Sequence, residues 1–550
     1  MAIKVLSSLE KCFLDDDLGK KQDYKKGSLL KNEKFHFTVA YSIGRGCIGN
    51  KYLTFEIESP LKEFITAYKI EHVPVHIPCY PNDMDDNYLR TTPGLYPDLL
   101  VPVSKGEQLA LSINTESLYF EVDPAGQMAA GEYPVKITMY NKDSTVWDTA
   151  ELTLEIIDAE LPKQELIHTE WLHCDCLSEY YGTDSFDNRH FEIIENYIKT
   201  AVKRGVNMIM VPVFTPPLDT AVGGERKTTQ LVSVAVRNGK YEFDFSLLDR
   251  FVDMCDRLGV KYFEISHFFT QWGAAHAPKI MATVDGEYKK IFGWETDACG
   301  EEYKQFLGIF IPEFLAFMRS KNGADKRCWF HVSDEPDKKH IKQYKNSYEI
   351  VSHLLKGYPI IDALSDYDFY KEGIVKNPIP ASDHVMPFIE NTVPDLWVYY
   401  CSVQRKKVSN RFLAMPSERT RVIGMQMYKY DIKGFLSWGY NFYKTQYSLR
   451  SVNPFLRTDG ENFVPSGDTF LVYPAHNGEP YESLRLLVFE EGIQDIRALK
   501  LLEKLCGKET VLSVLEEGID PVTFENYPHG AEWLLVTRER INQKIKENIS

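Results

Sequence analysis

Asn188–Val213, NRHFEIIENYIKTAVKRGVNMIMVPV, is the stretch on which the fold turns. Phe191, Ile194, Tyr197, Ile198, Ala201 and Val202 recur at helical spacing and would share one face. Gly205 supplies the left-handed residue that ends such a helix. The apolar run Asn207–Val213 follows at once and suits a strand buried on both faces. The same order of helix, glycine and apolar run returns three times. Ser246–Leu258 stops at Gly259 before Val260–Ser266, and Tyr303–Ser320 leads through Asn322-Gly323 to Cys328–Ser333. Lys338–Lys356 stops at Gly357 before Tyr358–Leu364, and further strand-like runs lie at Trp397–Cys401 and Gly434–Trp438. Helices and strands alternating in series predict a (β/α)8 TIM-like barrel over residues 165–505. A doubly wound sheet is the rival, but none of these strands is followed by G-x-G-x-x-G, which weakens its dinucleotide-binding form.

Upstream the grammar is β. Phe35–Tyr41, Tyr52–Ile57, Gln108–Ile113, Leu118–Val122, Val135–Tyr140 and Ala150–Ile157 are short strand-like runs, separated by turn clusters such as Asp123-Pro124-Ala125-Gly126. That spacing predicts an N-terminal β-sandwich over residues 1–160, with polar Asp158–Gln164 as linker. The last part, residues 506–550, reads as a charged helical extension packed on the barrel.

The chain has 550 residues, 44% hydrophobic and 26% charged, which supplies real cores and excludes disorder over most of its length. A net charge of -16 argues against a nucleic-acid footprint and an electrostatic membrane anchor. No apolar stretch approaches a membrane span, so no membrane insertion is expected. The first twenty residues lack an apolar signal core and reach Asp15, Asp16 and Asp17 early. Ten cysteines are too sparse for a disulfide scaffold, and the expected compartment is a reducing cytoplasm. A small, neutral or cationic substrate fits this charge better than a polyanion.

Barrel chemistry gathers at the C-terminal ends of the strands. There the sequence places carboxylates, Trp, Tyr, His and amides, without a phosphate loop or a lysine. Rings and carboxylates together suit a sugar, whose C–H faces stack while its hydroxyls need polar partners. The sharpest motif is His331-Val332-Ser333-Asp334-Glu335-Pro336. Ser333 or Asp334 could simply cap a helix whose first turn holds the acids and Pro336. Alternatively Asp334 and Glu335 turn together toward the mouth. Neighbouring carboxylates cannot easily flank a glycosidic bond as acid and nucleophile, which need about 5–5.5 Å across it. They can act from one side: Glu335 protonates the leaving oxygen, and Asp334 holds a 2-acetamido group that is itself the nucleophile.

His168, His173, Cys174 and Cys176 invite a metal reading, but lack HExxH or zinc-finger spacing, so neither metal nor cofactor is expected. No G-x-S-x-G supports a serine nucleophile.

Several segments together resemble glycoside hydrolase family 123, the β-N-acetylgalactosaminidases, and related bacterial proteins that share its catalytic-domain signature. They are Pro93–Asp98 (PGLYPD), Phe263–Gly273 (FEISHFFTQWG), Ser333–Pro336 (SDEP), Leu396–Cys401 (LWVYYC), Gly434–Asn441 (GFLSWGYN), Gly467–Pro474 (GDTFLVYP), Ser483–Leu486 (SLRL) and Glu491–Asp495 (EGIQD). The resemblance implies a β-sandwich before a (β/α)8 barrel and retaining exo-hydrolysis of terminal β-GalNAc from a carbohydrate substrate. It also implies an Asp-Glu pair, which maps onto Asp334 and Glu335. Ionised Asp334 would then orient the acetamido group and stabilise an oxazolinium, and Glu335 would act as acid and then as base. A tyrosine often assists the acetamido carbonyl, for which Tyr367 and Tyr400 are candidates. By position, Trp171, Trp272 and Trp438 are expected against the sugar, and His267, Gln271, Asp366 and Asn441 on its hydroxyls. A glycosidase of other specificity, or a carbohydrate-binding protein without catalysis, are the alternatives.

Overall fold

The computed structural model describes residues 2–43, 51–104, 106–336 and 338–549, so Met1 and Ser550, the ends of the expected first and last segments, lie outside it. Two sheets make up the N-terminal part. One runs Ala2–Ser7, Phe35–Ser42, Glu116–Val122, Ile65–Val75, Gly94–Pro102, and every pairing in it is antiparallel. The other runs Lys26–Leu30, Val146–Ile157, Gly131–Asn141, Lys51–Glu58, Leu109–Leu111. Phe37, Val39, Leu118 and Phe120 of the first sheet share one buried core with Leu29, Val135, Ile137 and Leu154 of the second. Phe37 and Phe120 face each other across strands, their rings stacked at 4.9 Å.

The first sheet also takes a strand from far down the chain. Glu482 and Ser483 of Pro480–Ser483 pair antiparallel with Leu100 and Leu99. Ser483 ends that strand and caps the helix Leu484–Cys506, its hydroxyl accepting from the Leu486 amide. The C-terminal helix Ala531–Asn548 packs both on Leu484–Cys506 and on the N-terminal strand Lys26–Leu30, where Asn542 donates to the Ser28 hydroxyl at 2.8 Å. Buried charge ties these parts together. Arg204, just after the helix Asn188–Lys203, pairs with Glu482, Glu490 and Glu121.

Eight short parallel strands form a circuit. Their order is Ile167–Glu170, Met208–Val211, Tyr262–Ile265, Cys328–Phe330, Ile361–Ala363, Asn377–Ile379, Trp397–Tyr399 and Gly434–Ser437. Each pairs with the next, single bridges at Phe330–Ile360 and Ala381–Tyr399 complete the series, and the last pairs back onto the first. That is not the open order of a doubly wound sheet. Gly205 and Gly259 end their helices with φ of 87° and 85°. A Cβ on Gly205 would also meet Ile493 at 2.8 Å.

Two hairpins interrupt the alternation and were not expected. Ser233–Arg237 with Lys240–Asp244, and Ile280–Val284 with Glu287–Phe292, join into one four-stranded sheet. Asn238-Gly239 and Asp285-Gly286 turn them, all four residues left-handed. These hairpins follow the second and third strands of the circuit and flank the loops that carry Asp219 and Trp272.

Candidate active site

Beyond Cys328–Phe330 the chain leaves the extended conformation, and Glu335 has φ 46°. Left-handed backbone breaks the alternation of a strand, so Asp334 and Glu335 line the same cavity instead of facing opposite ways. Hydrogen bonds hold the turn from two sides: the Trp272 amide donates to the Asp334 carbonyl and the Glu335 amide to the Ala363 carbonyl, both at 3.0 Å. The capping role open to Ser333 and Asp334 does not occur, since the next α-helix begins at Ile341 with His340 before it.

The cavity, about 210 Å³, is walled by Trp171, Trp272, Trp438, Tyr399, Tyr447 and Phe463, with Asp219, Gln271 and His173 among its polar groups. It is smaller than the roughly 300–1,000 Å³ typical of drug-sized ligands and matches a single ring better than a chain. Four of its non-glycine residues have positive φ: Asp219, Trp272, Glu335 and Tyr447. Such strain persists where the surroundings over-determine it, and it gathers at functional sites.

Asp334 is buried and accepts from Gln271 Nε2 at 2.6 Å. Burial, and then the charge of Glu335, raises its carboxyl well above the usual range, against that hydrogen bond. Glu335 opens on the cavity and accepts from the Tyr399 hydroxyl at 2.8 Å. Desolvation by the surrounding walls raises it, and the Tyr399 donor opposes the rise. Asp219 is pushed up to about 6 by burial, against Arg226. The Gln271 carbonyl accepts from the Asp219 amide, so one amide side chain ties Asp334 to the Asp219 loop. His173 is lowered to about 3 by burial and by the Arg226 cation. Its Nδ1 faces Arg226 at 3.1 Å and its Nε2 the Trp438 carbonyl at 2.8 Å. The Trp438 indole donates to Asp468 at 3.0 Å, which fixes that wall.

Of the residues expected from sequence, Asp334, Glu335, Trp171, Gln271, Trp272 and Trp438 line the cavity. Five do not. His267 is buried beneath the floor, stacked on His331 at 4.3 Å. Asn441 is spent on the His173 backbone, accepting from its amide and donating to its carbonyl. Asp366 accepts from the Asp368 amide and lies 3.8 Å from Lys338, in an outer cleft that Tyr367 also lines and that shares Glu335 and Tyr399 with the cavity. Tyr400 points outward onto Phe435, because strand side chains alternate and Trp397 and Tyr399 take the inner face. Tyr399 is therefore the tyrosine that reaches the pair. That register could have been read from Trp397, whereas Asp219, in a proline-rich loop, carries no periodic signal.

Among the described residues, His267, His331 and Asp362 stand close enough to suggest a metal site. They do not fit one. Both His331 ring nitrogens face carboxylates, Glu264 at 2.6 Å and Asp362 at 3.2 Å. The two imidazoles stack at an interplanar angle of 24°, so no ion can lie in both ring planes. In the second such group, His36, Glu121 and Glu490, the Arg204 guanidinium pairs with both carboxylates. His168 faces Glu170, which Arg411 neutralises.

Paired carboxylates on one side of a small aromatic-walled cavity define a sugar-cleaving enzyme, a glycoside hydrolase. The family model for the glycoside hydrolase 123 catalytic domain matches residues 171–502, and the chain belongs to that family. A solved family 123 glycoside hydrolase from Clostridium perfringens, described in an account of glycolipid glycan hydrolysis, superposes with a TM-score of 0.74 at 14% identity. The match covers 100% of this chain and 98% of that one. A Parabacteroides merdae β-glucuronidase is matched with a TM-score of 0.29 at 12% identity, over 83% of this chain and 50% of that one. A Thermotoga petrophila endo-β-1,4-mannanase is matched at 0.35 and 10%, over 62% and 78%. No curated protein sequence matches the chain. Among the described residues no helix is long and apolar enough to cross a membrane.

Proposed function

We propose that this glycosidase is a retaining exo-β-N-acetylgalactosaminidase, removing terminal β-GalNAc from glycans or glycolipids with the substrate's acetamido group as nucleophile. The observation that carries the reading is the left-handed Glu335, which sets two adjacent carboxyls on one side of the cavity. The Asp334 carboxylate accepts the acetamido N–H and turns the carbonyl oxygen toward C1. As that oxygen attacks C1, the Glu335 proton passes to the leaving oxygen and the C1–O bond breaks. Glu335, now a carboxylate, takes a proton from water, which attacks C1 and opens the oxazolinium. Two inversions return the β configuration. Burial favours the protonated form of Asp334. The acetamido N–H, a second donor beside Gln271, favours the carboxylate there and leaves the proton to Glu335. Of the two tyrosines in the cavity, Tyr399 already donates its hydroxyl to Glu335, which leaves Tyr447 for the acetamido carbonyl.

The same proposal takes the circuit of strands as a (β/α)8 barrel within residues 165–505. Residues 1–160 form a β-sandwich that borrows the strand 480–483, and 506–550 are a helical extension. A panel of aryl β-glycosides tests the function. Turnover of the β-GalNAc member with the β-galactoside inert is expected, and equal turnover of both overturns it.

A further inference from the structure

His331 lies three residues before the acidic pair and is fully enclosed. Its Nε2 meets Glu264 Oε1 at 2.6 Å and its Nδ1 meets Asp362 Oδ1 at 3.2 Å. A neutral imidazole has one donor and one acceptor nitrogen, so only the doubly protonated ring satisfies both carboxylates. Asp362 Oδ1 also accepts from the Val332 and Ser333 amides at 3.0 and 3.3 Å, and the following residue, Ala363, accepts from the Glu335 amide. Glu264 Oε1 in turn accepts from the Trp171 indole at 2.8 Å, at the cavity wall.

We propose that His331 is a positioning residue for the reaction: an imidazolium clamped between Glu264 and Asp362 that fixes the turn carrying Asp334 and Glu335 and sets positive charge beneath Asp334. The inference rests on the catalytic reading of that pair. The groups facing the ring are Glu264 from the third strand of the circuit, Asp362 from the fifth, and His267 from the loop after the third. Trp171, just past the first strand, meets it edge-on, and Asp334 follows on its own segment. Among the described residues His267 has no hydrogen-bond partner on either nitrogen, and burial, then His331, holds it far below its usual range, so it stacks as a neutral ring. His331 itself is pushed up to about 9, since its two carboxylate bonds outweigh the burial that opposes its charge. Burial, Glu335 and, less strongly, Asp362 raise Asp334, and the Gln271 hydrogen bond and the His331 charge act against them. An ionised Asp334 becomes attainable on substrate binding because that cation stands behind it.

Selective ¹⁵N-histidine labelling of the full chain tests the charge directly. The His331 ring, identified by its loss in His331→Gln, should carry two protonated nitrogens from about pH 6 to about pH 8, beyond the ordinary histidine range. A neutral tautomer at pH 7 overturns the proposal. Should His331→Gln not fold, Glu264→Gln serves in its place. One ring resonance should then begin to titrate within that window, and its absence overturns the proposal. Kinetics on an aryl β-GalNAc provide the second readout. His331→Gln should move the acid limb of kcat/KM up by about one pH unit and lower kcat at least about tenfold, with KM little changed. An unshifted acid limb with wild-type turnover intact overturns the role of His331 and leaves the catalytic reading standing. A wild-type protein inert on every glycoside defeats the catalytic reading, while the ¹⁵N spectrum still decides the charge of His331.

Discussion

Tyr399 donates its hydroxyl to Glu335 Oε1 at 2.8 Å and leaves the other carboxyl oxygen free to carry the transferred proton. A donor to a carboxylate favours the ionised form, so Tyr399 keeps Glu335 from rising further. Tyr399→Phe should therefore raise the Glu335 pKa. The acid must be protonated to act, and its loss on the alkaline side should come later. The basic limb of kcat/KM is expected to move up by about one pH unit, a charged hydrogen bond being worth about 1.5–3 kcal/mol. A pH–rate profile reads this, and a basic limb that stays or moves down removes Tyr399 from Glu335.

Glu335→Gln removes the proton donor but keeps the shape of the turn. Activity on natural glycosides should fall by about 10²–10⁴-fold. Activated aryl glycosides, which need less protonation, should lose less. Equal losses on good and poor leaving groups would count against an acid at this position. Unchanged thermal unfolding would show that the fold survives the substitution.

The interface between the N-terminal sheets and the circuit carries its own prediction. Burial tends to raise Glu121, yet Arg204 and His36 reverse this and hold its carboxyl far below the usual range. A depressed carboxyl contributes stability that is complete above its unfolded pKa and lost only as pH falls through the folded value. The wild-type interface should thus persist from neutral well into acid. Arg204→Ala leaves buried Glu482 without its cation, and Glu121 and Glu490 with only His36, Lys203 and Lys34 beside them, and should cost about 3–5 kcal/mol at neutral pH. The deficit should shrink as pH falls, because the orphaned carboxyls can protonate. Denaturant unfolding at two pH values measures both. A chain begun near Glu165 should express poorly, since it loses Glu121 and the sheet on which Pro480–Ser483 pairs.

Much of the circuit was legible because its helices are amphipathic, end at glycine and lead straight into apolar runs, as in Asn188–Val213. The hairpins were equally legible in principle, through Asn238-Gly239 and Asp285-Gly286, but their strands are half-exposed and one strand of each, Lys240–Asp244 and Glu287–Phe292, is mostly polar. Asn377–Ile379 is three residues long and pairs with Ile361–Ala363, too short for any periodicity. Pro480–Ser483 belongs to a sheet some 380 residues earlier, a pairing set by tertiary packing and invisible to local pattern. In the site, residue type at strand ends located Asp334, Glu335, Gln271 and the tryptophans. It could not tell Tyr399 from Tyr400 without the inward register, nor see that Asn441 and His267 serve the structure beneath.

The last prediction concerns the nucleophile. A protein carboxylate attacking C1 would also retain configuration, so stereochemistry does not separate the two mechanisms. Such a group must line the cavity. Glu170 is sealed against Arg411, and Asp366 lies in the outer cleft. Asp219 remains, the one cavity carboxylate besides the pair among the described residues. It is a poor candidate, because burial raises it to about 6 and its left-handed backbone is latched through the Ser448 hydroxyl. If the acetamido oxygen attacks, a β-galactoside with a 2-hydroxyl should be essentially inert although its ring fits. A GalNAc-thiazoline, which mimics the bicyclic oxazolinium, should bind far more tightly than GalNAc. Asp334→Asn should lower turnover by about two orders of magnitude or more, as the charge facing the oxazolinium is lost. A 2-fluoro galactoside that leaves a covalent adduct on Asp219, or β-galactoside turnover near the β-GalNAc rate, would reassign the nucleophile from substrate to protein.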